Sequence, residues 1–318
     1  RFCQVTGVQT CALPIYLEQR KKTYAGANGN KISVIYMGEL YMLKFPANAK
    51  QNRDMSYTNS CFSEYLGCQI YDRIGVPVQK TILGTYVVRG EEKIVVACKD
   101  FTEPGVTLQD FASLKNRMID SARQGYGTEL PDILQTIEEQ QLIEQVSLME
   151  RFWDMFIVDA LIGNWDRHNG NWGFLYDARI DEMTLAPVFD CGSCLNPQAD
   201  ETIMTEVLTV QAQLNKRIYD MPVSAIRLNG KKIRYFDFIS SLQYDGCNEA
   251  LKRIHPRIDM VGISEIIDQT PFISDLQKRF YKTILAERKA RILDFSLKRL
   301  RSRENAAPGG QNDDSEAR

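Results

Sequence analysis

Histidine is nearly absent from this sequence: the chain has two, His168 and His255. That excludes the histidine-rich metal centres, which need several imidazoles at ligand spacing. His255 sits in "RIHPRI", with nothing ligand-like around it. Long apolar runs are also missing. The best candidate, "FWDMFIVDALIG", is interrupted by Asp154 and Asp159, so no membrane span is expected. Charge of one sign is not in excess. The net charge of -2 gives no basic bias toward nucleic acid. There is no internal repeat. Neither the G-x-x-x-x-G-K-[ST] phosphate loop nor a full G-x-G-x-x-G occurs. The eight cysteines are scattered, in a chain of 318 residues that can build its own core. That pattern fits reduced thiols in a cytoplasmic protein better than a disulfide framework. One C-x-x-C is present, Cys191 and Cys194, without a second pair or a nearby histidine, which is a weak zinc signal.

The first fifteen residues need separate treatment. "VTGVQTCALPI" resembles one reading frame of a short-read sequencing adapter. Residues 1–15 are therefore expected to be a translation artefact, with native sequence starting near Tyr16. Cys3 and Cys11 then carry no meaning.

From Tyr16 the pattern divides. "KISVIY" and "LYMLKF", separated by "MGE", read as a β-hairpin. "SCFSEYLGCQIYDRIG" has apolar residues at helical spacing. "VPVQKTILGTYVV" and "EEKIVVACKDF" read as strands. After Gly105 helical patterns dominate, and "PDILQTIEEQQLIEQVSLMERFWDMFIVDALIGN" reads as two helices or one core-spanning helix. Asn229-Gly230 marks a tight turn between β-like arms. The expected class is α+β, with a β-rich lobe over 16–104, a helical lobe over 105–302 and a disordered tail over 303–318.

Chemistry concentrates in "ALIGNWDRHNGNWGFLYD". Asp166 and Asn171 have the spacing D-x-x-x-x-N. A short loop of this kind can aim a carboxylate at an attacking hydroxyl and an amide oxygen at a metal ion. Nineteen residues after Asn171 comes Asp190, in "APVFDCGS", an apolar-Asp-x-Gly pattern that could complete a Mg²⁺ site. Asp166 could instead be a simple turn or cap residue. Lys44 lies in the apolar "LYMLKFP" and needs a partner if buried. Glu64 on the next helix is the candidate, although either residue could be solvated. In "TYAGANGNK", the Gly26-Ala27-Asn28-Gly29 turn could cradle phosphate oxygens or be a plain turn. His168 could fix the loop backbone, bind metal, or sit beside a transferring phosphate.

In order, these features resemble the HipA-like kinase family and its CtkA-type branch. "GANGNK" is similar to the family's phosphate loop, "YMLKFP" and "SEYLGCQIYDRIGVPVQKTILGTY" to its lysine strand and glutamate helix. "LIGNWDRHNGNWGFL" and "LAPVFDCGS" are similar to its catalytic and metal loops. The resemblance implies a two-lobed protein-kinase-like fold and an ATP- and Mg²⁺-dependent Ser/Thr protein kinase. Lys44 would bind phosphates with Glu64 in support. Ala97 and Lys99 would offer hinge hydrogen bonds to adenine. Asp166, His168 and Asn171 would form the catalytic loop, with Asn171 and Asp190 on the metal. Thr23 lies near the family's autophosphorylation position. The partner implied is a protein with a Ser or Thr acceptor, of unknown identity. HipA proper also implies an antitoxin; the short segment before the phosphate loop, as in CtkA-type proteins, weakens that inference and leaves an antitoxin partner open. The alternatives are a phosphoinositide or small-molecule kinase and an inactive nucleotide-binding pseudokinase. The expected location is the cytoplasm, with export as an effector left open.

Overall fold

The computed structural model describes residues 18–20, 22, 31–46, 58–118 and 124–306. Residues 1–15, Thr23 and the Gly26–Gly29 turn lie outside that set.

The first lobe is a five-stranded antiparallel sheet. Its strands are β1 (Glu18–Arg20), β2 (Lys31–Tyr36), β3 (Glu39–Lys44), β4 (Thr81–Val88) and β5 (Glu91–Lys99), in the order β1-β2-β3-β5-β4. Two-residue turns close both hairpins. Met37-Gly38 and Arg89-Gly90 all have positive φ, the geometry that matches strand twist. Side chains alternate between the two faces of the sheet. Leu43 and Ala97 point outward into a small cluster with Val34 and Tyr36. Val96 and Cys98 point inward to the main core. Lys44 follows Leu43, so alternation puts it on the inner face.

Helix α1 (Ser60–Ile74) packs across that inner face, against β4 and β5. Most of its residues are buried, because the sheet covers one side and the second lobe the other. It stops at Gly75, a left-handed cap.

The chain leaves β5 at Lys99 and enters the second lobe at β6 (Val106–Asp110). This strand pairs with β7 (Gly173–Asp177), and β7 with β8 (Glu182–Leu185). Helix α2 (Phe111–Met118) follows β6. The long helical stretch resolves into two, α3 (Leu130–Glu139) and α4 (Gln145–Ile162). The break has local causes. The Gln140 side chain accepts from the N–H groups of Leu142 and Ile143 at 2.9 Å each. Glu144 then caps α4 by accepting from Val146 and Ser147. The apolar run in α4 is a core helix, and no helix of the described residues is long and apolar enough to cross a membrane.

Helices α5 (Glu201–Thr209), α6 (Gln211–Asn215), α7 (Tyr235–Ser241), α8 (Asp245–Ile254), α9 (Met260–Gln269), α10 (Asp275–Arg288) and α11 (Phe295–Ala306) complete the lobe. The Asn229-Gly230 turn joins β9 (Arg227–Leu228) to β10 (Lys231–Lys232). One boundary is corrected. Residues 303–306 continue α11 instead of opening the tail. Arg303 to Ala306 tolerate helix, and the first strong breaker is Pro308.

Candidate active site

The site lies where α1, the end of β3, the loop after α4 and the segment after β8 converge. Lys44 Nζ donates to Glu64 Oε2 at 2.8 Å and to Asp190 Oδ1 at 3.0 Å. Glu64 is 1% exposed, so its charge needs partners close by. Its second oxygen accepts the Cys191 N–H at 3.1 Å. One carboxylate thus ties the lysine strand to the segment carrying Asp190. Burial alone would lower the Lys44 ammonium, but Asp190 and Glu64 outweigh it and hold the pKa well above its usual value. In return, Lys44 pulls the Asp190 carboxyl down to about 2. Asp190 itself has a φ of 59°, an uncommon conformation for a residue with a side chain.

Two glycines make this approach possible. A Cβ on Gly192 would meet Glu64 Oε2 at 3.0 Å. A Cβ on Gly67 would meet Cys191 Cβ at 2.7 Å and Cys194 Sγ at 2.9 Å. The small residue at 67 lets α1 lie directly on the loop after Asp190. Cys191 and Cys194 are buried free thiols at this contact, and Cys194 Sγ donates to the Ser63 carbonyl at 3.2 Å. Burial pushes the Cys194 thiol well above its ordinary pKa.

The opposite wall is the loop after α4, which ends at Gly163 in the left-handed region, with φ 65°. Its foundation is a buried network around Asp159. The carboxylate accepts from Tyr71 at 2.8 Å, Asn164 at 3.0 Å and Arg167 Nε at 3.0 Å. Arg167 is 5% exposed and Asp159 1%. The same guanidinium donates to the Asn171 carbonyl at 2.8 Å and to the Phe189 carbonyl. One side chain therefore joins α4, the loop and the residue before Asp190. Tyr235 adds an O–H···O bond to the Asn164 carbonyl at 2.5 Å.

This scaffold leaves the working atoms open. The Asp166 N–H donates to Asn164 Oδ1 at 3.1 Å. Its carbonyl accepts from the His168 N–H at 2.8 Å and from Asn171 Nδ2 at 2.8 Å. Among the described residues, no hydrogen bond is made to the Asp166 carboxylate or to Asn171 Oδ1. Burial raises the Asp166 carboxyl above its ordinary value, His168 opposes that rise, and Asp190 adds to it. His168 Nδ1 accepts the Gly170 N–H at 3.0 Å, so the ring braces the loop. Its edge meets Tyr126, with centroids 6.5 Å apart.

The donor set fits Mg²⁺. Asn171 Oδ1, with its amide fixed by the bond to Asp166, is an available hard oxygen. Asp190 stays ionised. A magnesium ion commonly takes one or two such protein ligands and completes its shell with phosphates and water.

Lys44, Glu64, Asp166, His168, Asn171 and Asp190 are thus brought together. The two hinge candidates, Ala97 and Lys99, lie in β5. Ala97 lies inside β5, paired with Leu43 on one side and Ile82 on the other. The Lys99 N–H donates to the Lys80 carbonyl at 2.8 Å, and its own carbonyl accepts Gln79 Nε2 at 3.0 Å. Sheet pairing and Gln79 thus engage the backbone groups of these two hinge candidates. Gly26, Ala27, Asn28, Gly29 and Thr23 lie outside the described residues. Sequence reasoning missed Tyr71, Asp159, Asn164 and Arg167. A signal existed: Asp159 is a charge inside an apolar helical run, which demands a buried partner.

Comparison with known proteins accords with this geometry. Residues 20–258 match the HipA-like C-terminal domain. The chain is 52% identical over 277 residues to a curated protein of Helicobacter pylori strain J99, the serine/threonine-protein kinase CtkA. That alignment covers 87% of this chain and 84% of the relative. The crystal structure of a Helicobacter pylori proinflammatory kinase CtkA superposes with a TM-score of 0.86 at 49% identity. It covers 92% of this chain and 98% of that one. A Shewanella oneidensis MR-1 toxin–antitoxin complex of HipA, HipB and operator DNA superposes at 0.51 with 15% identity, over 90% of this chain and 69% of that one. This last likeness concerns the fold alone. The chain belongs to the HipA-like C-terminal domain family.

Proposed function

We propose that this HipA-like chain is a serine/threonine protein kinase that transfers the γ-phosphoryl group of ATP with the help of Mg²⁺. The family and the 52%-identical kinase relative support the reaction class. The observation that carries the reading is the Lys44 ammonium shared between Glu64 at 2.8 Å and Asp190 at 3.0 Å. A lysine kept charged and fixed at both a helix and a metal loop is placed to receive phosphate oxygens.

The roles follow from the atoms. Asp166 accepts the proton of the attacking hydroxyl, and its raised carboxyl makes it a stronger base than an exposed aspartate. Asn171 Oδ1 and the Asp190 carboxylate would hold the metal, which when bound would neutralise charge on the phosphates. Glu64 keeps Lys44 extended into the cleft. Arg167 fixes the separation of Asn171 from Asp190 through the two carbonyls that it holds. His168 braces the loop through Gly170 and stands beside Asp166. The reading extends by sequence to Gly26, Ala27, Asn28 and Gly29 as the phosphate loop and to Thr23 as an autophosphorylation site. It includes residence in the cytoplasm.

The test is transfer of labelled phosphate from Mg-ATP to a protein mixture and, separately, to phosphoinositide vesicles. Protein labelling that is lost in Lys44→Met and Asp190→Asn supports the reading. Labelling of lipid alone, or transfer that survives in Asp190→Asn, overturns it.

A further inference from the structure

The catalytic loop does not stand alone on the second lobe. Asn169 Nδ2 donates to the carbonyls of Gly125 at 2.8 Å and Gly127 at 2.9 Å. The same short segment carries the β9–β10 hairpin. The Arg227 N–H donates to the Thr128 carbonyl at 2.8 Å, and Thr128 Oγ1 donates to the Ala225 carbonyl at 2.8 Å. The Gly230 N–H donates to Glu129 Oε1 at 3.1 Å. Just past the hairpin, Tyr235 holds the Asn164 carbonyl, two residues before Asp166. The hairpin is therefore anchored to the catalytic loop from both sides.

This rigid piece presents Lys231 and Lys232, both exposed. Among the described residues neither forms an ion pair. The hairpin's third cation, Arg227, is turned onto the Gly230 carbonyl, and the neighbouring Arg234 is paired with Asp220 at 3.4 Å. Tyr126, on the bridging segment, is 53% exposed and edges against His168. Held to residues 125–129 on one side and, through Tyr235, to Asn164 on the other, the hairpin lies beside the loop that carries Asp166.

We propose that the β9–β10 hairpin is an acceptor-docking element, in which Lys231 and Lys232 pair with acidic side chains flanking the phosphorylated serine or threonine. The proposal rests on the phosphotransfer reading and names the substrate class for it: acidic Ser/Thr segments. A lipid surface fits less well. Two lysines make no polybasic field: Glu129 accepts from the hairpin's Gly230 N–H, and Asp220 and Asp237 pair with Arg234. Membrane binding also needs a larger basic or apolar face.

The experiment uses peptides identical except for Glu, Ala or Lys at the positions flanking one serine. Initial rates are compared for the wild type and for Lys231→Glu/Lys232→Glu. The wild type is expected to use the Glu peptide roughly tenfold or more better than the Lys peptide, within the range that electrostatic steering provides. The preference should shrink with added salt. The charge-reversed variant should reverse it, and Lys231→Gln/Lys232→Gln should flatten it. Matching unfolding midpoints check that the variants are folded. Equal use of the peptides, or an acidic preference unchanged in the reversed variant, overturns the proposal. Binding of the same labelled peptides, followed by fluorescence anisotropy, separates the two readings. If no phosphate is transferred but the Glu peptide binds through the lysines, the docking element stands and the kinase reading falls. If only anionic vesicles bind, the docking element falls.

Discussion

Two buried ion pairs flank the cleft, and they are built differently. Arg167 and Asp159 form a closed network. Both are nearly inaccessible, and Tyr71 and Asn164 fill the remaining acceptor positions of Asp159. Lys44 and Glu64 form an open one. Glu64 is sealed, but Lys44 is 15% exposed and shared with Asp190, whose side chain is 40% exposed. The closed network sets positions, and the open network meets ligands. A side chain that only positions can be fully enclosed. One that must bind phosphate or metal has to keep an open side.

Breaking the closed pair should have the largest effect on stability. Arg167→Met leaves Asp159 charged and buried, with an expected loss of about 3–5 kcal/mol. Chemical denaturation should show it as a lower midpoint than the wild type's, both with and without Mg-ATP. Lys44→Met attacks the open pair. It should lower the midpoint less than Arg167→Met, because Arg167 also holds the Asn171 and Phe189 carbonyls, while Glu64 keeps the Cys191 N–H and the open cleft lets water into the vacated Lys44 position. Its main expected effect is on phosphate transfer and on stabilisation by Mg-ATP, which requires binding to the folded state. A midpoint loss from Lys44→Met that equals the Arg167 loss would erase the distinction.

Gly67→Ala sharpens the comparison from the packing side. The new methyl would overlap Cys191 and push α1 off the Asp190 loop. Overpacking of this kind costs about 1–3 kcal/mol. Its effect should appear in both unfolding and transfer rate, because the Glu64–Cys191 contact is shared.

The smallest predicted effect is a shift with pH. Burial raises the Asp166 carboxyl, while Lys44 holds Asp190 at about 2. Activity should therefore fall in acid as Asp166 is protonated, at a pH above that of an ordinary aspartate. Asp190 remains ionised throughout that fall. A pH–rate profile with its acid limb at the value of an exposed aspartate would contradict this assignment.

How far the sequence reached follows the same division. The open residues were legible. Lys44 stood out as a charge in an apolar strand, and Asp166, Asn171 and Asp190 fell at telling spacings. Their chemistry requires particular residue types in short, ordered segments. The order of β-rich and helical patterns also implied the lobes. Of the closed network only the charge of Asp159 in an apolar run was legible, because Tyr71, Asp159 and Arg167 meet only once the Tyr71 side chain of α1 reaches α4. The engagement of Ala97 and Lys99 in the sheet was not legible either. A strand's end is set by its partners, and Lys80 and Gln79 keep β5 engaged through Lys99. The docking of the β9–β10 hairpin on residues 125–129 was equally hidden, although its Asn-Gly turn was plain.

The central claim is that Asp166 is the catalytic base, held by a loop whose geometry does not depend on its carboxylate. Its most direct test is mass spectrometry of Ser/Thr peptides and of the protein itself after incubation with Mg-ATP, comparing wild type with Asp166→Ala. The account predicts phosphate on the peptides with the wild type and a loss of at least about 100-fold in the variant, with its unfolding midpoint little changed. A folded Asp166→Ala protein that transfers phosphate at the wild-type rate would contradict it.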